Sequence, residues 1–164
     1  MKRIMVVDDD PVILKLSKLA LSPLNVEIVT LTSAEEALKV LRFQPFDLLI
    51  VDVVMPRMSG FELLKKLKKA GSCHAPIMML SGRRMQKDIL ASLKLGAIDY
   101  ICKPFDPSVL LAKIEAVFSN GNDFSPEVIF AQGLSHSSAT VTLTGLLQSM
   151  SELGVILQMQ EPIA

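Results

Sequence analysis

Leu48-Leu49-Ile50-Val51-Asp52-Val53-Val54-Met55-Pro56, continuing through Arg57-Met58 to Ser59-Gly60, is the stretch on which the fold turns. An unbroken apolar run that stops at a carboxylate reads as a strand buried on both faces, the pattern of a parallel sheet. Ser59 and Glu62 have the spacing of a capping box, so a helix starts there. Phe61, Leu64 and Leu67 then supply apolar residues at helical intervals. Further runs of the same kind lie at Ile4–Val7, Val26–Leu31, Ile77–Leu80 and Ile98–Cys102. Helical stretches separate them. Asp10-Pro11 and Asp106-Pro107 each read as an N-cap followed by proline in the first turn. Ser33 with Glu36 repeats the capping-box spacing, Leu110, Ile114 and Val117 line one helical face, and Gly96 marks a helix end. Five strands alternating with five helices predict an α/β domain whose parallel sheet is covered on both sides.

Ligands of such sheets bind beyond the C-terminal strand ends, near the point where strand order reverses. The first strand ends in Asp8-Asp9-Asp10, the third in Asp52, the fourth in Ser81-Gly82 and the fifth in Lys103-Pro104-Phe105. Taken singly, each is ordinary. A carboxylate after a strand is most often a helix cap, and Ser-Gly is usually a turn. Their joint appearance at successive strand ends is the signal. Converging carboxylates repel unless a cation sits among them, and carboxylate oxygens with a carbonyl and waters suit Mg²⁺. A lysine and a hydroxyl beside them suit the oxygens of a phosphoryl group, whose transfer rests on positioning and charge neutralisation. Asp52 is then the natural nucleophile, with Lys103 and the metal stabilising the group and Ser81 donating to one of its oxygens.

These residues resemble the receiver domain of two-component response regulators, in order, from about Lys2 to Phe118. Asp8 and Asp9 match that family's acidic pair, Asp52 its phosphoacceptor, Gly60 its loop glycine, Ser81 its Ser/Thr and Lys103-Pro104-Phe105 its closing motif. Tyr100 stands where the family carries an aromatic switch residue. The resemblance implies a flavodoxin-like (βα)5 sheet of strand order 2-1-3-4-5. It implies Mg²⁺ held by Asp9, Asp52 and the backbone carbonyl of Val54, with Asp8 acting through water. Pro56, Gly60 and Pro104 take structural roles, the last after a cis peptide. The implied donor is a phosphohistidine on a histidine kinase or phosphotransfer protein; His74 and His136 lie in loop-like contexts and are not taken as donors. In the implied switch, phosphorylation draws Ser81 toward the phosphoryl group and Tyr100 turns into the vacated space. The face of the fourth helix, fifth strand and fifth helix is thereby remodelled for a downstream protein target or a homodimer. Val54 cannot orient an attacking water and Arg83 can cover the phosphate, so slow self-hydrolysis is expected.

The formal net charge of zero conceals an asymmetry. From Met1 to Phe118, 17 basic residues stand against 13 acidic ones, leaving +4; from Ser119 to Ala164 there are four acids and no Lys or Arg, leaving −4. Because affinity for nucleic acid comes largely from cations set against phosphates, this segment predicts no direct DNA binding. Two cysteines are too few for a disulfide scaffold, and no apolar run is long enough to span a membrane, so the expected compartment is the cytoplasm. Residues 1–118 form the expected receiver, 119–138 a linker and 139–164 a β-rich, hairpin-like extension. Ser151-x-x-Gly154 is similar to part of the cyclic di-GMP-binding PilZ motif, but the arginine pair of that family is absent. Two other readings compete with the receiver. A haloacid-dehalogenase-type phosphatase would use Asp8-x-Asp10 but leaves Asp52 without a role, and an unphosphorylated scaffold has no need of the full residue set.

Overall fold

The computed structural model describes residues 1–83 and 85–119. The hairpin-like extension, and the expected linker beyond Ser119, lie outside the described residues. The elements run β1 (Lys2–Val7), α1 (Pro11–Ala20), β2 (Val26–Leu31), α2 (Ala34–Leu41), β3 (Leu48–Asp52), α3 (Gly60–Ala70), β4 (Ile77–Ser81), α4 (Gln86–Lys94), β5 (Asp99–Cys102) and α5 (Pro107–Ser119). The strands form one parallel sheet of order β2-β1-β3-β4-β5, as expected.

Strand alternation divides the core in two. Ile4, Val6, Leu48, Ile50, Met78 and Leu80 face α1 and α5, meeting Leu14, Leu110, Ile114 and Val117. Their neighbours Met5, Val7, Leu49, Val51 and Met79 point the other way, toward Ala34 and Ala37 of α2 and Leu63, Leu64 and Leu67 of α3. Each of these central strands is buried on both sides, which is why the sequence shows continuous apolar runs rather than alternation.

The ends follow their local chemistry. Asp10 caps α1 through Val12 N–H, and Pro11 occupies the first turn. Ser59 accepts from Glu62 N–H while the Glu62 carboxylate accepts from Ser59 N–H at 2.8 Å, a complete capping box. Ser59→Ala removes half of that exchange and should cost about 1 kcal/mol of stability, read from the midpoint of urea unfolding. Gly96 takes a φ of 97° just beyond α4, a conformation that glycine adopts without strain. Three strand boundaries differ from the apolar runs of the sequence by one residue, β3 ending at Asp52, β4 ending at Ser81 and β5 beginning at Asp99, and one differs by two: β1 begins at Lys2, not Ile4. Arg3 lies opposite Glu27 on β2, and their side chains pair at 2.8 Å. Cross-strand charge pairing extends the ladder past the apolar run, where an apolar criterion sees nothing.

The chain passes from β1 to β2 on one side and places β3 on the other, so strand order reverses between β1 and β3. The carboxyl ends of these two strands carry Asp8, Asp9 and Asp52.

Candidate functional site

Each residue of the site sits at or just past a strand end. Asp8 follows β1, and its backbone N–H donates to Leu31 carbonyl at 3.1 Å, prolonging the sheet by one residue. Its side chain is wholly buried and accepts from Asp10 N–H at 2.9 Å. Asp52 is the last residue of β3 and is 4 % exposed, whereas Asp9 is open to solvent. One carboxylate oxygen from each of Asp8, Asp9 and Asp52 lies within 4.8 Å of the others. Such an all-oxygen trio, partly buried and partly wet, matches what a hard divalent cation requires.

Lys103 enters from the far side. Its backbone N–H donates to Ser81 carbonyl at 2.7 Å, which ties the loop after β5 to β4. The ammonium then lies 2.5 Å from an oxygen of Asp8 and 3.3 Å from one of Asp52. The peptide bond to Pro104 is cis. One cation shared by two buried carboxylates leaves the site short of positive charge. Burial pushes the Asp8 carboxyl up, against the pull of Lys103. Burial, followed by the neighbouring Asp8 charge, pushes Asp52 up to about 6, with Lys103 and the Val54 N–H working the other way. Two carboxyls raised by desolvation, and further by a neighbouring carboxylate (Asp9 acting on Asp8, Asp8 on Asp52), form a site that an added cation would relax.

The loop after β3 is held from behind. Gly60 N–H donates to Val53 carbonyl at 2.9 Å, and Val53 N–H donates to Leu80 carbonyl at 3.1 Å. Met55 and Val53 anchor the loop in the core, while Val54 is 49 % exposed. Arg57 has a φ of 67°, uncommon for a residue with a side chain, and its guanidinium meets Glu35 of α2 at 3.2 Å. This contact between the β3–α3 loop and α2 carried no sequence signal.

Ser81 is fully buried and accepts from Arg83 N–H at 3.1 Å. The Tyr100 ring is 6 % exposed, and its hydroxyl donates to Arg83 carbonyl at 2.6 Å. Burial pushes the Tyr100 phenol up, with the nearby Ser81 hydroxyl working against it. The ring is thus already turned inward beneath the β4–α4 loop. Arg83 itself reaches toward Asp88, 3.9 Å away, with its side chain still more than half exposed. Sequence reasoning also missed the buried Asp99, whose carboxylate meets Lys113 of α5 at 2.5 Å directly beside Tyr100. An aspartate inside an otherwise apolar strand was the available signal. Among the described residues, no helix is long and apolar enough to cross a membrane.

Comparison with known proteins agrees with this geometry. The family model of the response regulator receiver domain matches residues 4–115. The response regulator GtcR of Aneurinibacillus migulanus is 35% identical over 149 residues, covering 90% of this chain and 60% of that protein. The alkaline phosphatase synthesis transcriptional regulatory protein PhoP of Bacillus subtilis is 34% identical over 125 residues, 76% of this chain and 52% of its own. Among solved structures, the BeF3-activated receiver domain of DrrB, a Thermotoga maritima protein, superposes with a TM-score of 0.66 at 30% identity, covering 73% of this chain and 98% of that one. The chain therefore spans a little over half the length of these two curated relatives.

These relatives correct one expectation. The prediction of no direct DNA binding rested on the missing Lys and Arg after Lys113, yet similar proteins are named transcriptional regulators. The physical reason is one of scope. A charge count over 46 residues tests those residues alone, while the receiver carries a net positive charge and the relatives extend beyond the aligned region.

Proposed function

The chain belongs to the response regulator receiver domain family, and on that premise we propose that Asp52 accepts a phosphoryl group from a phosphohistidine on a partner kinase or phosphotransfer protein. A carboxylate oxygen of Asp52 attacks phosphorus, the P–N bond breaks, and the imidazole leaves to take up a proton. The observation that carries this reading is the convergence of Asp8, Asp9, Asp52 and Lys103 at the reversal point of the sheet. Asp8, Asp9 and Asp52, with the Val54 carbonyl, would hold Mg²⁺, which supplies charge neutralisation at the phosphoryl oxygens. Lys103 and Ser81 bind and orient those oxygens. As an acceptor, the protein takes part in its own phosphorylation and is not an enzyme acting on a separate substrate.

The output we propose is a shift in an equilibrium of the α4–β5–α5 face. Arg83 links the two ends of the switch, since its N–H reaches Ser81 and its carbonyl accepts from Tyr100. A phosphoryl group on Asp52 that recruits the Ser81 hydroxyl takes it away from Arg83 N–H and so biases the loop above Tyr100. In the whole protein this face would control transcription, as the names of the relatives indicate.

The test uses a small phosphodonor with Mg²⁺. Covalent phosphate should disappear in Asp52→Ala. Its disappearance in Asp8→Ala with persistence in Asp52→Ala would instead favour the phosphatase reading. Val54 is apolar and Arg83 is long enough to cover the phosphoryl group, so the label should survive for minutes or more after donor removal. Loss within seconds would show that water reaches the acyl phosphate freely.

A further inference from the structure

Opposite the acidic edge, the molecule gathers cations. Both α2 and α3 run antiparallel to the strands, so their C-terminal halves lie at the end of the sheet remote from Asp52. Lys39 and Arg42 stand at the end of α2, and Lys65, Lys66, Lys68 and Lys69 occupy α3; all six are exposed. No acid occurs from 37 to 46 or from 63 to 76. Of the carboxylates flanking these stretches, Glu62 is engaged by the Ser59 cap, Glu35 by Arg57, and Asp47 by Lys2 and the Arg3 N–H, while Glu36 stands exposed at the opposite end of α2 from Arg42. Leu63, Leu64 and Leu67 turn inward to the core, which leaves the four lysines, with Glu62 and Ala70 at the two ends, as the outer face of α3.

We propose that this lysine ridge, with Lys39 and Arg42 beside it, is a contact surface for the phosphate backbone of duplex DNA. Compensation of the helix dipole accounts for Lys68 and Lys69 in the last turn. Lys65 and Lys66 lie near the Glu62 carboxylate, which is shared with the Ser59 cap, and the dipole gives no reason for the acid-free stretch that follows them. The chemistry of the ridge selects the partner. A protein interface needs an apolar centre, and an interfacial helix needs an apolar face free to enter lipid; α3 has spent its apolar face on the core, and Phe43, exposed next to Arg42, is a single side chain rather than an apolar patch. Four ammonium groups on flexible stems, without an aromatic side chain among them to stack on a base, match sequence-independent contact with phosphates. At physiological salt, charges interact over about 8 Å, so a local cluster acts whatever the net charge of the chain. The ridge adds affinity without sequence preference, and it does so independently of phosphoryl transfer at Asp52.

The experiment measures binding of the full chain to a random-sequence DNA duplex across a salt series. Binding should be detectable at low salt and fall log-linearly with salt, by about 0.9 in slope for each phosphate neutralised. Lys65→Gln with Lys69→Gln should lower the slope by about 2 and weaken low-salt binding about tenfold or more. Lys15→Gln with Lys18→Gln, equally exposed on α1, should leave both unchanged. Glutamine keeps helix propensity close to that of lysine, and circular dichroism verifies that each variant is folded. The proposal is overturned by absence of low-salt binding, or by equal losses in the two double variants. Tighter binding to a poly-glutamate peptide, or to vesicles of equimolar phosphatidylcholine and phosphatidylserine, than to the duplex also overturns it.

Discussion

Gly60→Ala is expected to destabilise the protein by about 3 kcal/mol, at the upper end of what overpacking usually costs. A Cβ at this position would lie 2.1 Å from the Asp52 carbonyl oxygen and 2.9 Å from its carbonyl carbon. Neither atom can swing aside, because both belong to the backbone of the central strand. The helix must move away from β3, and the Gly60 N–H then loses Val53 carbonyl, now 2.9 Å away. The loop bearing Val54 and Met55 shifts with it, so acceptance of phosphate at Asp52 should fall alongside stability. Gly82→Ala is the matched control. It too lies at the site, but nothing stands within 4 Å of its added Cβ and its φ is not positive, so stability should be unchanged or slightly raised. Urea unfolding of the two variants checks both statements. Equal midpoints would show that β3 and α3 are not packed as described.

Lys113→Met is expected to cost about 3–5 kcal/mol, the range for breaking a buried ion pair from one side. Asp99 is fully buried, and its remaining hydrogen bond is the Tyr100 N–H at 2.7 Å. Burial already pushes the Asp99 carboxyl up, with Lys113 as the first influence opposing it. Removing Lys113 drives it further up, above its value in the unfolded chain. A carboxyl raised on folding favours the native state at low pH and loses that contribution as pH rises through the folded value. The variant should therefore regain stability, relative to the parent, as pH is lowered from neutrality toward the ordinary carboxylate range. Asp99→Asn should cost less than Lys113→Met, since the partly accessible ammonium of Lys113 can turn to water. Denaturant midpoints across a pH series measure this, and a pH-independent difference would contradict the pairing.

The fold was legible because its decisive features are periodic or positional. Runs such as Leu48–Val51 are apolar throughout because both sheet faces are covered, and capping residues such as Asp10 and Ser59 act within three residues of themselves. The candidate site was legible because chain order maps to sheet edge: residues far apart in sequence end parallel strands and so meet. What remained hidden depends on side-chain reach across elements. The Arg57–Glu35 bridge, the Tyr100 hydroxyl on Arg83 carbonyl and the Asp99–Lys113 pair join positions between 14 and 22 residues apart. No local pattern encodes such a pairing. The charge asymmetry was read correctly as arithmetic but carried too far as function.

Chemical identification of the phosphorylated residue tests the account most directly. The chain is treated with Mg²⁺ and a small phosphodonor, reduced with borohydride, which converts an aspartyl phosphate to homoserine, and mapped by peptide mass. The expected result is homoserine at position 52 alone, dependent on Mg²⁺. Homoserine at Asp8 or Asp9, phosphate on a hydroxyl or imidazole, or an unmodified Asp52 would contradict the assignment of this site as a phosphoryl acceptor.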